Sequence, residues 1–375
     1  MLTAPIYLDY NATTPVDQRV VEKMLPFFNE KYGNASSKTH VYGWQAEEAV
    51  EMAREQVAQL IQAKSSEIYF TSGATEALNI AIRGICKHYS GGRIITVQTE
   101  HKAVLDVCES LEKEGFEVTY LPVNQTGQID LSALEEAVRS DTILITVMHA
   151  NNETGIIHPI EEISELAKKL QIPFLTDASQ AVGKIPVKAS NADMMVFSGH
   201  KMYGPKGVGV LYVKNSIKLK PILFGGGQEK GVRPGTLNVP AIVGIGEACE
   251  ICMEEQAAET VRLQKLRDYL ESKLLEINGA FINGSTSPKL PQTLNVSFAD
   301  IKGELLLRSM PNLALSQGSA CSSGHTKPSH VLKAMGLTDE LAFSSIRISF
   351  GRFTQMDELQ NTVFAIQKAI ERLRK

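Results

Sequence analysis

The sequence predicts an α/β protein: a large domain built on a mainly parallel sheet sandwiched by helices, and a smaller α+β domain. Three observations carry this. From Ile68 onward, short continuous apolar runs of strand length alternate with segments of helical period, as buried parallel strands joined by crossover helices require. Polar residues follow the ends of several of these runs, at the carboxyl edge where open α/β sheets hold their ligands. Near Ala241 the alternation gives way to one long helical stretch and then isolated strands and helices, which marks the second domain.

Taken in order, residues 6–8 read as a short strand leading into the polar turn Asp9-Tyr10-Asn11-Ala12-Thr13, after which Thr14 and Pro15 open a helix through Val20, Met24 and Leu25. Tyr32-Gly33-Asn34-Ala35-Ser36-Ser37 is a small-residue loop, either a connection or a ligand-side segment. Over residues 44–61, Ala46, Ala49, Val50, Ala53, Val57 and Leu60 recur at helical spacing. Strands are expected at 68–70, 94–97, 118–121, 142–148, 173–176, 194–198 and 208–213, with helices at 76–88, 103–114, 131–138 and 160–170. Beyond a helix at 241–277 come a strand at 294–298, a helix at 304–310, a Gly/Ser-rich loop, a strand at 346–350 and a final helix at 357–373. The N-terminal strand is expected to fold back onto this part. The division is residues 16–256 for the large domain, and 1–15 with 257–375 for the small one.

The chain has 375 residues, 43% hydrophobic and 21% charged, ordinary for a globular protein with a sizeable core. A net charge of −4 provides no footprint for direct nucleic-acid binding. The N-terminus has no basic region followed by a long apolar run, and no later stretch is apolar enough to span a bilayer, so a cytoplasmic protein off the membrane is expected. Cys86, Cys108, Cys249, Cys252 and Cys321 are odd in number and scattered, which argues against a disulfide framework. Cys249-x-x-Cys252 lies inside the long helical stretch and reads as two helix-face thiols; no metal is expected.

The chemistry centres on Met194-Met195-Val196-Phe197-Ser198-Gly199-His200-Lys201, where a strand-type run feeds a small turn and then a lysine. A unit upstream, Pro173-Phe174-Leu175-Thr176-Asp177 ends a strand in a carboxylate. A lysine that captures an aldehyde and an aspartate that keeps a ring nitrogen protonated are what pyridoxal phosphate chemistry needs. Thr71-Ser72-Gly73-Ala74-Thr75-Glu76 joins a strand to a helix and offers amides and hydroxyls for a single phosphate, or simply a helix cap. His101 follows another strand and either stacks on a ring and passes protons or is a loop histidine. Asn152 and Gln180 are candidates for a ring oxygen; an Asn-rich turn is the plain alternative for the first. Cys321 stands in a run of glycine and serine with almost nothing apolar beside it, which favours a reactive thiol over a buried one, with His325 or Lys327 as nearby positive charge. Arg347 is a carboxylate clamp or a surface ion pair. The loop carrying Gly225-Gly226-Gly227 and Arg233-Pro234-Gly235-Thr236 could cap a phosphate, including that of a neighbouring subunit.

The motifs 7–15, 71–76, 99–102, Ser198-Gly199-His200-Lys201, Gly318-Ser319-Ala320-Cys321 and Ser345-Ile346-Arg347 together resemble the cysteine desulfurases of the NifS/IscS type, in order and over nearly the whole chain. The resemblance implies a fold type I pyridoxal phosphate enzyme with a seven-stranded-type sheet, a homodimer with each site at the subunit interface, and conversion of L-cysteine to L-alanine. It implies catalytic roles for Lys201, His101 and Cys321, the last receiving sulfur as a persulfide. Cofactor contacts would come from Ala74, Thr75, Asn152, Asp177, Gln180, Ser198, Gly199, His200, Lys201 and, from the other subunit, Thr236. Asn34 and Arg347 would hold the substrate carboxylate. A protein acceptor or scaffold is expected, serving iron-sulfur cluster assembly, tRNA thiolation or DNA phosphorothioation; scaffold docking is left open because the chain stops at Lys375, soon after its last helix. A selenocysteine lyase or another lyase or aminotransferase of the same fold is the alternative.

Overall fold

The computed structural model describes residues 5–318 and 327–375. Strand β1 (Ile6–Tyr7) precedes a central sheet made of β2 (Ile68–Thr71), β3 (Arg93–Val97), β4 (Glu117–Leu121), β5 (Thr142–Thr146), β6 (Phe174–Asp177), β7 (Met194–Ser198) and β8 (Gly209–Val213). Its order is β2-β8-β7-β6-β5-β3-β4, and only β8 runs against its neighbours. Every residue of β3, β7 and β8 is buried, which is why these strands read as unbroken apolar runs rather than alternating ones. Helices such as Ala74–Cys86, Lys102–Glu112 and Ile160–Leu170 link the strands and cover the sheet.

The second part holds β9 (Ala280–Ile282), β10 (Thr293–Phe298), β11 (Leu313–Ala314) and β12 (Ser345–Ser349). Order β12-β10-β9 is antiparallel throughout, and β1 pairs with β11 while Asp9 bridges to Ser349, so the N-terminus does fold back here. The helix Val239–Leu275 joins the two parts: Val239 to Cys252 contribute to one apolar core, and Leu263, Leu266, Leu270 and Leu274 to another with Leu294, Val296, Ile346 and Phe350. Among the described residues no helix is long and apolar enough to cross a membrane.

Several expected boundaries shift by a few residues, two of them at helix starts with a visible cap. The first helix begins at Gln18, not at Thr14 and Pro15, because Asp17 supplies the cap to the Arg19 amide. Thr14 is engaged elsewhere: its amide and hydroxyl both donate to the His200 carbonyl, at 2.9 and 3.1 Å. That pair ties residues 11–14 against the end of β7. The helix expected from Trp44 starts at Val41, where the His40 imidazole accepts from the Gly43 amide.

Candidate active site

Strands β2, β3, β5, β6 and β7 all end at one rim of the sheet, and the residues following them line a cavity of about 510 Å³. Ala74, Thr75, His101, Asn152, Asp177, Gln180, Ser198, His200, Lys201 and Arg347 are all on its wall.

One corner is made for an anion. The helix Ala74–Cys86 starts there with its free amides, and the Ala74 amide donates to Ser198 Oγ at 2.8 Å. A side chain at Gly209 would stand 2.6 Å from the Gly73 Cα, so β8 must present a glycine for this turn to lie at the sheet edge. His200 Nδ1 is 3.1 Å from Thr13 Oγ1. Burial, with Lys201, Lys206 and Lys184 adding to it, pushes this imidazole down to about 4.

Asp177 ends β6, next to β7 in the sheet, and its Oδ1 accepts from the Ser179 amide at 2.9 Å, which fixes the carboxylate on the cavity wall. His101 caps its helix: Nδ1 accepts from the Ala103 amide at 3.1 Å, so the neutral ring carries its proton on Nε2. Burial lowers its pKa, aided by Lys201 and His330 and opposed by Asp177 and Glu153. Lys201 Nζ donates to the carbonyls of Asn11 and Ala12, at 2.6 and 2.8 Å. Gln180 Nε2 donates to the same Asn11 carbonyl at 3.0 Å.

Arg347 is buried to 1% exposure. Its Nη2 meets Asp9 Oδ1 at 2.6 Å, its Nη1 meets the Asn152 carbonyl at 2.9 Å, and its Nε has no partner among the described residues. It is an interior arginine beside a cavity, not a surface ion pair.

Three expected site residues are not brought to this wall. Asn34 is exposed, with its carboxamide oxygen accepting from the Ser36 amide. Thr236 is exposed on its loop. Gly199 is buried and does not line the cavity, its amide donating to the Val208 carbonyl at 3.1 Å. Cys321, with His325, lies outside the described residues. Cys249 and Cys252 are fully buried on their helix, and burial raises both thiols. Among the described residues no group of three or more His, Cys, Asp or Glu is placed to hold a metal.

The structure adds residues to which sequence reasoning gave no role. Asn11, Ala12 and Thr13 line the cavity; their signals were a polar run directly after a short strand and their place in the 7–15 motif. Asp9 holds Arg347. Glu100 is fully buried, accepts from the Met148 amide at 2.5 Å, and is pushed well above the usual carboxylate range by burial and by Asp177. Lys184 donates to Gln180 Oε1 at 2.8 Å, and burial, with Lys201 and Arg347 adding, pushes it down to about 7.

A family model described as aminotransferase class-V matches residues 6–362. The chain belongs to the class-V aminotransferase family. Within it the chain groups with the cysteine desulfurases: it is 52% identical to cysteine desulfurase IscS of Pectobacterium carotovorum, an alignment covering 99% of this chain and 94% of that protein. Among solved structures, a NifS-like protein matches with a TM-score of 0.92 and 39% identity over 98% of this chain and 99% of its own. DndA from Streptomyces lividans matches with a TM-score of 0.79 and 40% identity over 92% and 99%. The fold is therefore the type I fold of the pyridoxal phosphate enzymes, as expected from the motifs, and the desulfurase reading is favoured over the selenocysteine lyase or aminotransferase alternative.

Proposed function

We propose that this chain binds pyridoxal 5′-phosphate in the 510 Å³ cavity and converts L-cysteine to L-alanine, passing the sulfur to Cys321 as a persulfide. The observation that carries the reading is that Lys201 and Asp177 reach one cavity from the ends of adjacent parallel strands, with an anion corner beside them. Amine, carboxylate and phosphate corner match the aldehyde, ring nitrogen and phosphate of the cofactor, and the volume suits a small ligand.

Ala74, Thr75, Ser198 and His200 would hold the phosphate. Asp177 would keep the ring nitrogen protonated, Lys201 would bind the aldehyde, and Asn152 and Gln180 would touch the ring substituents. When bound, the cofactor supplies an electron sink for the bond broken at the substrate α carbon. His101 would stack on the ring and move a proton at Nε2, and Arg347 would clamp the substrate carboxylate. The Cys321 thiolate would then attack the substrate sulfur: a sulfur–sulfur bond forms, the substrate carbon–sulfur bond breaks, and alanine leaves.

A homodimer belongs to this reading, with Thr236 of the partner subunit completing the phosphate corner; the exposed position of this loop supports it. So does the division into residues 16–256 and 1–15 with 257–375, supported by the change of core along the helix Val239–Leu275. A cytoplasmic location and a protein sulfur acceptor belong to the same reading. Asn34 as a carboxylate contact would need a second copy or a shift of its loop.

Incubated with L-cysteine, pyridoxal phosphate and a reductant, the protein should release alanine and sulfide in step, and Cys321→Ser should abolish both. Alanine formation that survives this substitution would remove Cys321 from the reaction.

A further inference from the structure

Lys184 lies outside the walls of the main cavity. It faces instead a much smaller one, about 10 Å³, lined by Tyr10, Thr14, Tyr203, Gln256 and Glu259 among others. A lysine at 9% exposure is uncommon without a task. Its amine donates to Gln180 Oε1 at 2.8 Å, and Gln180, unlike Lys184, does line the main cavity.

Two contacts together decide which end of the Gln180 amide is which, and Lys184 supplies one of them. The other end lies 3.0 Å from the Asn11 carbonyl, which only accepts, so it must be Nε2. The end facing Lys184 is then the oxygen, and an amine donates to it whether charged or neutral. Both ends are thus fixed by chemistry. The amide nitrogen spends one N–H on Asn11 and has a second to offer. The Asn11 carbonyl also accepts from Lys201, so a continuous chain runs from Lys184 through Gln180 and Asn11 to the reactive amine.

We infer that Lys184 is a positioning residue that holds the Gln180 carboxamide with its N–H, not its oxygen, toward the phenolic oxygen of the bound cofactor. The inference rests on the reading of the cavity as a pyridoxal phosphate site. A donor aimed at that oxygen favours its anionic form; an amide held at the Asn11 end alone would turn more readily, present an acceptor part of the time and lose the effect.

The test is the pH titration of the absorption spectrum of the loaded enzyme without substrate. Lys184→Met should move the titration to higher pH by about one unit, the size expected for one hydrogen bond to a charged oxygen. In a Gln180→Leu background the same substitution should add nothing, because the lysine acts only through the amide. Thermal melting of each variant without cofactor checks folding. A titration unmoved by Lys184→Met, or shifts that add in the double variant, would overturn the inference. A wild-type protein that takes up no cofactor and shows no such spectrum would instead overturn the functional reading beneath it. If Lys184→Met does not fold, a crystal structure of the loaded wild-type protein decides: Lys184 Nζ must bond Gln180 Oε1 and Gln180 Nε2 must reach the phenolic oxygen, and the absence of either contact overturns the proposal.

Discussion

Arg54 and Arg347 are both buried, at 7% and 1% exposure, and they are buried for different purposes. Arg54 is saturated. It meets both oxygens of Glu229 at 2.8 and 2.9 Å, the Ile68 carbonyl at 2.8 Å and Glu51 at 3.1 Å, with its guanidinium over the Phe70 ring. Glu229 in turn accepts from the Phe70 amide at 2.7 Å. Arg347 meets its carboxylate through one nitrogen only, keeps Nε without a partner among the described residues, and stands on the wall of the cavity. A guanidinium with every nitrogen engaged fastens two segments together. One with a donor in reserve beside a cavity is equipped to receive a carboxylate from outside.

The comparison is broken or sharpened first at Arg54. Arg54→Met leaves Glu229 buried without its partner and should cost roughly 3–5 kcal/mol of unfolding free energy, measured by denaturant titration. Activity per folded molecule should stay within about threefold. Lost activity at unchanged stability would put Arg54 in the site and erase the contrast.

Burial without partners also acts at His149 and His158, both held down to about 4 by desolvation; His149 Nδ1 and both ring nitrogens of His158 have no partner among the described residues. Their ordinary value is near 6.5, so between these limits the unfolded chain binds more protons than the folded one. Stability is therefore full above about pH 6.5 and falls as the pH drops toward 4, by up to about 3 kcal/mol for each ring. Denaturant titrations of the cofactor-free protein at pH 7 and pH 5 check this; equal stabilities would contradict it.

At Arg347 the effect is expected in catalysis. Arg347→Lys should lower kcat/KM for L-cysteine by about 100-fold, about 2.7 kcal/mol, mostly through KM, because an ammonium cannot form the paired contact. A fall in stability with unchanged KM would make Arg347 a fastener like Arg54.

How much of this was legible depended on how local the cause was. Strand Met194–Ser198 and helix Ile160–Leu170 match expectation to the residue, since a fully buried strand between turns and a helix of clean period carry their own boundaries. β9, β11 and the one-turn helices His330–Ala334 and Asp339–Phe343 were missed, being too short to show a period. In the site, residues directly after strands converged because a parallel sheet aligns its strand ends. Asp9 and Arg347 are 338 positions apart, and the Thr14 contact to His200 spans 186, so no window of sequence holds either. Lys184 was invisible for another reason: its role depends on burial, and a lysine near a turn reads as solvated.

Whether Lys201 is the amine that captures the cofactor can be measured directly. Borohydride reduction of the loaded enzyme followed by peptide mapping should place a phosphopyridoxyl group on Lys201 and leave Lys184 unmodified. A label on any other lysine, or none at all from a protein that has bound the cofactor, would contradict the account.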